Sequence, residues 1–282
     1  MTASGWPAGG RWTDSPARGA GQPCSDPGVT GNALERPVAA GLRSSRRPSV
    51  PSTDDGSIAV YALFGDDLIP GPRPALPDGA HHVPGWLTLE QQRWIVARFH
   101  EWRNGPVPIR AARVHGHEMS VRTVCLGWHW RPYAYTREAV DVNGNRVLGF
   151  PDWMVRLGRR ALVQVTGDPR AGDDYTPDVA LVNYYHADAR MGMHQDKDER
   201  SGDPVVSLSI GDRCRFRFGN PARRAKPYRD IDLASGDLFV FGGASRSAYH
   251  GVTKVFAGTA PPDCGLTTGR INITMRVTGL AG

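Results

Sequence analysis

The residues best suited to chemistry in this sequence are His194 and Asp196, an imidazole and a carboxylate two positions apart. On an extended strand, residues i and i+2 point to the same face, so both side chains could bind one metal ion. His250, further along the chain, is a candidate third ligand. Two histidines and one carboxylate on one side of a metal form the facial triad of non-haem Fe(II) sites, which leaves positions open for a cosubstrate and dioxygen. The alternative is a chance pair, since the 282 residues include 9 His and 28 Asp and Glu.

The elements that would position these ligands are short strands. From residue 179 onward, apolar stretches alternate with turn residues, which predicts strands over 179–185, 191–194, 205–211, 214–218, 229–233, 237–241 and 270–277. Earlier in the chain, Thr88 and Gln91 form a capping-box pattern ahead of a helix over 88–103, and a second helix is predicted over 151–166. We therefore predict an α+β fold with a double-stranded β-helix (jelly roll) core and flanking helices.

Composition divides the chain into three parts. Gly, Pro and Ser supply 24 of residues 1–57, and a segment so poor in large apolar residues is predicted to be a disordered N-terminal tail. Residues 58–178 combine the predicted helices with aromatic-rich hairpins. Residues 179–282 hold the predicted jelly-roll core.

The global composition narrows the class of protein. A net charge of +6 is a mild basic excess, which favours polyanionic partners only weakly. Four widely spaced cysteines are expected to be free thiols in a reducing compartment. The sequence shows neither a signal peptide nor an apolar run long enough for a membrane span, so we expect a cytoplasmic protein with no membrane partner.

The last predicted strand carries a second polar constellation. Arg270, Asn272, Thr274 and Arg276 share one face at period two, while apolar residues occupy the other face. Two guanidinium groups on one strand face suit a bound dicarboxylate, because arginine binds carboxylates bidentately. The alternative is the solvent-facing polar side of an edge strand.

Two further patterns are compatible with nucleic-acid binding. The region around residues 128–135 concentrates four large rings, Trp128, Trp130, Tyr133 and Tyr135, which either fill a core or form a wall for a flat base. Residues 213–229 contain seven basic and no acidic residues. That run either binds phosphates or forms an ordinary solvated cationic face.

Taken together, several motifs of this sequence resemble those of the AlkB family, Fe(II)- and 2-oxoglutarate-dependent dioxygenases that oxidatively dealkylate nucleic-acid bases. The motifs are Asn183-x-Tyr185, His194-Gln195-Asp196-Lys197-Asp198-Glu199, Gly236-Asp237, Gly242-Gly243, Tyr249-His250-Gly251 and Arg270-x-Asn272-x-Thr274-x-Arg276. The resemblance covers about 179–278 and extends more weakly through 118–135. It implies that the hairpins of 58–178 recognise a nucleotide.

The resemblance also implies roles for individual residues. The iron ligands would be His194, Asp196 and His250. The 2-oxoglutarate contacts would be Asn183, Tyr185 and Arg270 at the distal carboxylate, and Asn272 and Arg276 at the chelating end. The substrate contacts would be Trp128 as stacking partner, Asp198 at the alkylated base, Tyr133 and Tyr135 at the backbone, and Arg223, with Arg224 nearly as good a choice.

The implied activity uses Fe(II), 2-oxoglutarate and O2 to demethylate damaged bases, with release of formaldehyde, succinate and CO2. The Asp198 carboxylate would favour cationic lesions such as 1-methyladenine and 3-methylcytosine. The expected partner is single-stranded DNA or DNA with a flipped base, bound by a monomeric enzyme. Two alternatives stay open: the same chemistry on RNA, a protein or a small molecule, and a non-catalytic nucleic-acid-binding protein.

Overall fold

The computed structural model describes residues 75–280. The predicted disordered tail over 1–57 therefore lies outside the described residues. Two helices, α1 (Leu89–Trp102) and α2 (Asp152–Thr166), and a 3-10 turn (Gly243–Ser245) accompany thirteen strands within the described range. Strands β1 to β13 span, in order, Ala80–Val83, Arg110–Val114, His117–Leu126, His129–Arg131, Ala134–Thr136, Val179–Tyr185, Met191–His194, Val205–Gly211, Arg213–Phe218, Arg229–Leu233, Leu238–Phe241, His250–Phe256 and Arg270–Arg276.

The strands form two main antiparallel sheets, as the predicted jelly roll requires. The major sheet has the strand order β1-β11-β8-β13-β6-β3-β2, and the minor sheet has the order β10-β9-β12-β7. Strands β4 and β5 make a separate two-stranded hairpin. Because β1, β2 and β3 belong to the major sheet, the segments predicted as 58–178 and 179–282 share one sheet.

Both helices form where local sequence signals predicted them. The Thr88 hydroxyl accepts a hydrogen bond from the Gln91 backbone, and the Gln91 side chain caps the Thr88 backbone in return, which completes the capping box. Both helices contribute to one apolar core with the outer face of the major sheet, and the Trp94 and Trp153 rings make a T-shaped contact with centroids 5.0 Å apart. Neither described helix has the length and apolar character that a membrane-crossing helix requires.

A second apolar cluster lies between the two sheets. Phe216 and Phe218 from β9 meet Phe239 and Phe241 from β11, with ring centroids 5.0–5.5 Å apart for the Phe216–Phe239, Phe218–Phe239 and Phe218–Phe241 pairs. The rings pack against His250 at the start of β12. Aromatic packing in this core therefore holds one of the predicted metal ligands in place.

Candidate metal centre and substrate cavity

The structure brings the three predicted metal ligands together. His194 ends β7 and His250 begins β12, and the two residues are directly opposite each other in the antiparallel pair. The Asp196 carboxylate lies beside both rings, with Oδ1 3.6 Å from His194 Nε2 and Oδ2 3.7 Å from His250 Nε2. One potential ligand atom from each residue falls within a group no wider than 4.8 Å. A single metal ion could bind all three.

Hydrogen bonds prepare both imidazoles for a metal. His194 Nδ1 lies 3.0 Å from the Gly192 carbonyl, and His250 Nδ1 lies 3.0 Å from the Ala248 carbonyl. A carbonyl oxygen only accepts, so each Nδ1 carries the proton and each Nε2 presents a lone pair towards Asp196. Such outer hydrogen bonds fix the tautomer and orientation of a metal-binding histidine.

Electrostatics keeps the donor set in the charge state that a divalent cation needs. Burial opposes the charge on Asp196, but Arg276 and the neighbouring imidazoles outweigh it and lower the pKa to about 2. Burial, together with His194, lowers the pKa of His250 to about 4, so this ring is neutral at pH 7. Asp196 Oδ2 is buried and makes no hydrogen bond within the described chain, although Arg276 lies 2.9 Å away. Two imidazoles and one buried carboxylate fit Fe(II).

Strand β13 forms a polar wall next to this centre. It is a central strand between β6 and β8, which excludes the edge-strand alternative. Its apolar side chains Ile271, Ile273 and Met275 enter the core beneath the helices. Its four polar side chains line a cavity of about 570 Å³ that also contains the metal ligands; they are Arg270, Asn272, Thr274 and Arg276.

Arg270 is the most unusual residue of this wall. Only 1% of its surface is exposed, yet no carboxylate of the described chain lies within ion-pair distance. Nη2 donates to Ser209 Oγ at 2.9 Å, whereas Nε and Nη1 have no hydrogen-bond partner in the described structure. An unpaired buried charge is costly, and a carboxylate of a cosubstrate would balance that charge and accept from a nitrogen that lacks a partner. The donor set therefore fits the distal carboxylate of 2-oxoglutarate.

The remaining predicted 2-oxoglutarate contacts surround the same space. Asn183 and Asn272 are opposite each other on β6 and β13, and the Asn183 amide donates to Asn272 Oδ1 at 3.4 Å. Thr123 donates to Asn183 Oδ1 at 2.7 Å, which fixes that amide. Tyr185 lies below Arg270, whose guanidinium carbon is 5.1 Å from the ring centre. The strand register thus gathers residues that the sequence separates by about 90 positions.

Arg276 leads to two residues that the sequence interpretation assigned no role. Its Nη1 donates to Glu199 Oε1 at 2.9 Å, and Glu199 Oε2 pairs with Arg246 at 3.1 Å. The Glu199 side chain is fully buried. Arg246 also donates to the Asp196 backbone carbonyl at 3.1 Å. This network holds the metal-binding loop against β13, and no spacing in the sequence signals it.

The structure does not bring Trp128, the predicted stacking partner, to the cavity. Trp128 is 8% exposed; its indole donates to Asp178 at 3.0 Å, and the Arg137 guanidinium covers its ring at 3.5 Å. The preceding Gly127 has a φ of 81°, and a Cβ there would lie 1.9 Å from the Asp178 carbonyl oxygen. This tight turn places Trp130, rather than Trp128, on the cavity wall.

Trp130 and Asp198 form a pair inside the cavity. The Trp130 indole Nε1 donates to Asp198 Oδ2 at 2.7 Å, and both residues line the cavity close to Lys197. No other hydrogen bond to Asp198 forms within the described part of the chain, so Oδ1 has no hydrogen-bond partner there. The predicted base contact Asp198 is therefore present and oriented by an indole.

The other predicted substrate contacts differ in whether they line the cavity. Tyr133 lines the cavity mouth, but the Tyr135 hydroxyl donates to Glu199 at 2.5 Å, and burial is the main reason that its pKa is raised. Tyr135 therefore belongs to the Arg276 network and not to the exposed substrate surface. Arg223 does not line the cavity, whereas Arg224 does.

Three of the seven basic residues in the run over 213–229 are ion-paired. The three arginines of β9 pair with two aspartates on the adjacent strand β10: Arg217 with Asp230 at 2.7 Å, Arg215 with Asp232 at 3.0 Å, and Arg213 also with Asp232. Both aspartates follow shortly after residue 229. Pairing of β9 with β10 therefore places acidic side chains beside the arginines, although the run itself contains none. The β9 arginines are not a free phosphate-binding stripe.

Comparison with known proteins is consistent with this geometry. A family model described as the 2OG-Fe(II) oxygenase superfamily matches residues 79–276. The alpha-ketoglutarate-dependent dioxygenase AlkB homolog of Caulobacter vibrioides is 35% identical over 219 residues, which cover 77% of this chain and 95% of that protein.

Two further similarities concern proteins of the ALKBH1 type. DNA N(6)-methyladenine demethylase ALKBH1C of Arabidopsis thaliana is 34% identical over 179 residues, which cover 56% of this chain and 39% of that relative. The chain thus spans about two fifths of that relative's length. The solved structure of OsALKBH1 superposes with a TM-score of 0.61 at 30% identity, over 72% of this chain and 100% of that one.

Proposed function

Since this chain belongs to the AlkB family of the 2OG-Fe(II) oxygenase superfamily, we propose that it is an Fe(II)- and 2-oxoglutarate-dependent dioxygenase that removes alkyl groups from nucleic-acid bases. The observation that carries the proposal is one cavity in which a His-Asp-His cluster adjoins a buried arginine without a carboxylate partner. That combination matches the needs of a divalent metal and a dicarboxylate at once.

His194, Asp196 and His250 would hold the iron, and Arg270 would bind the distal carboxylate of 2-oxoglutarate. Asn183, Tyr185, Asn272 and Arg276 complete the cosubstrate side in this proposal. When bound, iron and 2-oxoglutarate would supply the means to activate O2, one atom of which would hydroxylate the N-alkyl carbon while the other enters succinate as CO2 leaves. The protein binds and orients the reactants: Asn183 and Asn272 are fixed by neighbouring side chains, so the wall needs little rearrangement.

The substrate side is proposed to hold an alkylated base between Trp130 and the metal. Asp198 keeps one carboxylate oxygen unengaged beside Trp130, and a carboxylate favours a cationic ring over the neutral parent base. This supports 1-methyladenine and 3-methylcytosine as substrates. The target carbon would have to enter a cavity, so the base must be unpaired or flipped out of a duplex.

A second substrate, N6-methyladenine in DNA, is supported by the activity for which the Arabidopsis relative is named. This base is neutral, and its N6–H group could donate to the free oxygen of Asp198. The two substrates therefore make opposite demands on residue 198: a cationic lesion needs the charge, whereas N6-methyladenine needs only an acceptor.

In the decisive experiment, the protein is incubated in air with Fe(II), 2-oxoglutarate and one of three single-stranded oligonucleotides. These carry 3-methylcytosine, N6-methyladenine or no methyl group. Formaldehyde and succinate are measured together for the wild type, Asp196→Ala and Asp198→Asn. Equimolar release from a methylated strand, abolished in Asp196→Ala, is the expected result. Asp198→Asn is expected to lower turnover of the 3-methylcytosine strand more than turnover of the N6-methyladenine strand.

The other outcomes separate the alternatives. Succinate without formaldehyde would indicate the same oxidative chemistry on a different substrate class. Neither product from protein shown to contain iron would contradict the enzymatic proposal and favour a nucleic-acid-binding role.

A further inference from the structure

Two hairpin turns meet at the mouth of the cavity. The β2–β3 hairpin turns at His115 and Gly116, and the β4–β5 hairpin turns at Pro132 and Tyr133. The Tyr133 hydroxyl lies 2.9 Å from His115 Nε2, so a hydrogen bond joins the two tips. His115, Pro132 and Tyr133 all line the cavity. The mouth therefore carries a bridge between two separate hairpins.

Both bridging residues have a strained backbone. The φ angles are 49° at His115 and 71° at Tyr133, and within residues 75–280 no other non-glycine residue has a positive φ. In a two-residue turn that begins with proline, such as Pro132-Tyr133, the second position favours glycine when its φ is positive. A bulky residue in this conformation is a genuine outlier, and such strain is typical of functional sites.

Packing does not explain why a tyrosine occupies this turn. Tyr133 is 70% exposed, more than any other large hydrophobic residue in the described chain. Its ring meets the His115 ring at a centroid distance of 6.1 Å and is part of no core cluster. A glycine at this position would relieve the backbone strain, and a buried tyrosine would stabilise the core through its ring. Tyr133 provides neither benefit.

We propose that Tyr133, held in place by His115, is a stacking platform for an unpaired base next to the target nucleotide. This inference rests on the proposed function. Since the hydroxyl is engaged by His115, the exposed group is the aromatic face, on which any base can stack. A base on this ring would lie at the mouth while its neighbour occupies the cavity. The partner chemistry is a single-stranded nucleic acid, because paired bases already stack within the duplex.

The platform is tested by binding of an unmethylated, fluorescein-labelled single-stranded oligonucleotide, measured by anisotropy. Tyr133→Gly is expected to weaken binding about tenfold, which corresponds to about 1.4 kcal/mol. Its melting temperature is expected to equal or exceed that of the wild type, because glycine relieves the backbone strain. Tyr133→Phe retains the ring and should stay within about threefold of the wild type. Val140→Ala, at a position 67% exposed and outside the cavity, is the matched control.

His115 is assigned a positioning role. His115→Ala is expected to weaken strand binding by about threefold, and adding it to Tyr133→Gly should produce no further loss. Additive losses would show that His115 binds the strand by itself and would overturn this assignment.

Three results would overturn the platform. They are strand affinity of Tyr133→Gly equal to that of Val140→Ala, a loss of affinity in Tyr133→Phe as large as in Tyr133→Gly, or no strand binding by the wild type.

A methylated nucleoside 5′-monophosphate separates this proposal from the demethylase proposal. It has no neighbouring base to stack on Tyr133, so its turnover by the wild type tests the demethylase proposal alone. If the wild type demethylates nothing, the demethylase proposal fails, while the binding comparison still decides the platform.

Discussion

The two sides of the cavity are built by different means. The metal and cosubstrate side stands on β6, β7, β12 and β13, where strand register places each polar side chain. The substrate side stands on the β2–β3 and β4–β5 hairpins, where turns decide which side chains face the cavity. Paired strands of the two main sheets support an exacting ligand geometry, whereas hairpin turns allow substrate contacts to change without disturbing it.

Charge pairing differs in the same way. On the cosubstrate side, Arg276 is buried and paired, and Arg270 is buried and unpaired. On the outer surface, the β9 arginines are partly exposed and paired with aspartates of β10. Buried charges affect stability and ligand binding strongly, while exposed pairs contribute little. Residues that were equivalent in the sequence are therefore expected to respond differently to substitution.

The largest effect is expected from the metal centre. Asp196→Ala removes the only carboxylate of the three-residue cluster and should lower Fe(II) affinity at least ~100-fold, with loss of all turnover. Iron content after desalting, with Asp188→Ala as an exposed control outside the cavity, measures this. A variant that retains one equivalent of iron would show that the cluster is not the metal site.

A contrast between two arginines of the same strand comes next. Arg270→Met should weaken 2-oxoglutarate binding about 100-fold, because a bidentate charge-assisted contact is lost, yet leave the apo-protein as stable or more stable. Arg276→Met should lower stability by roughly 3–5 kcal/mol, because the buried Asp196 loses its arginine partner and Glu199 loses one of two. Urea unfolding, with and without 2-oxoglutarate, measures both. Equal stability changes would contradict the contrast.

The Glu199 network tests whether Tyr135 belongs to the metal side. Glu199→Gln should destabilise the protein by about 3 kcal/mol, because two buried guanidinium groups lose a charged partner. Tyr135→Phe removes one hydrogen bond and should cost about 1 kcal/mol, with oligonucleotide affinity within twofold of the wild type. A large loss of oligonucleotide affinity in Tyr135→Phe would return this residue to the substrate side.

The two tryptophans sharpen the comparison further. Trp130→Phe releases Asp198 and should raise the KM for a methylated oligonucleotide about tenfold, with little change in stability. Trp128→Phe loses the bond to Asp178 and should lower stability by about 1 kcal/mol without changing KM. Steady-state kinetics and thermal melts of both variants check this. The reverse pattern would reinstate Trp128 as the stacking residue.

The smallest expected effect is a loss of stability in acid that arises from His129 in the β4–β5 hairpin. Burial lowers the pKa of His129, opposed by its bond to Asp141 and supported by Arg110 and Arg131. The folded state therefore binds this proton less readily than the unfolded chain does. The resulting stability is complete above about pH 6.5 and declines as the pH falls below it, by at most about 1.4 kcal/mol per pH unit. Urea unfolding of the wild type should show this slope, and His129→Gln should reduce it.

Much of this design could be predicted because strands and helices have fixed periods. The alternation of Arg270, Asn272, Thr274 and Arg276 predicted one polar face, and the structure places all four on the cavity wall. The capping box at Thr88 predicted the start of α1 to within one residue. In these cases, neighbouring residues determine the result, and the sequence contains all of them.

Only tertiary structure decided the contacts between distant segments. The φ of 81° at Gly127 turns Trp128 away and leaves Trp130 facing Asp198, and strand pairing brings two aspartates to the β9 arginines. The burial of Glu199 and the meeting of His115 with Tyr133 likewise depend on segments that fold together. The sequence by itself determined which residue types share one face of a strand. The three-dimensional fold determined which turns meet and which charges find partners, because neither distance nor burial has a period along the chain.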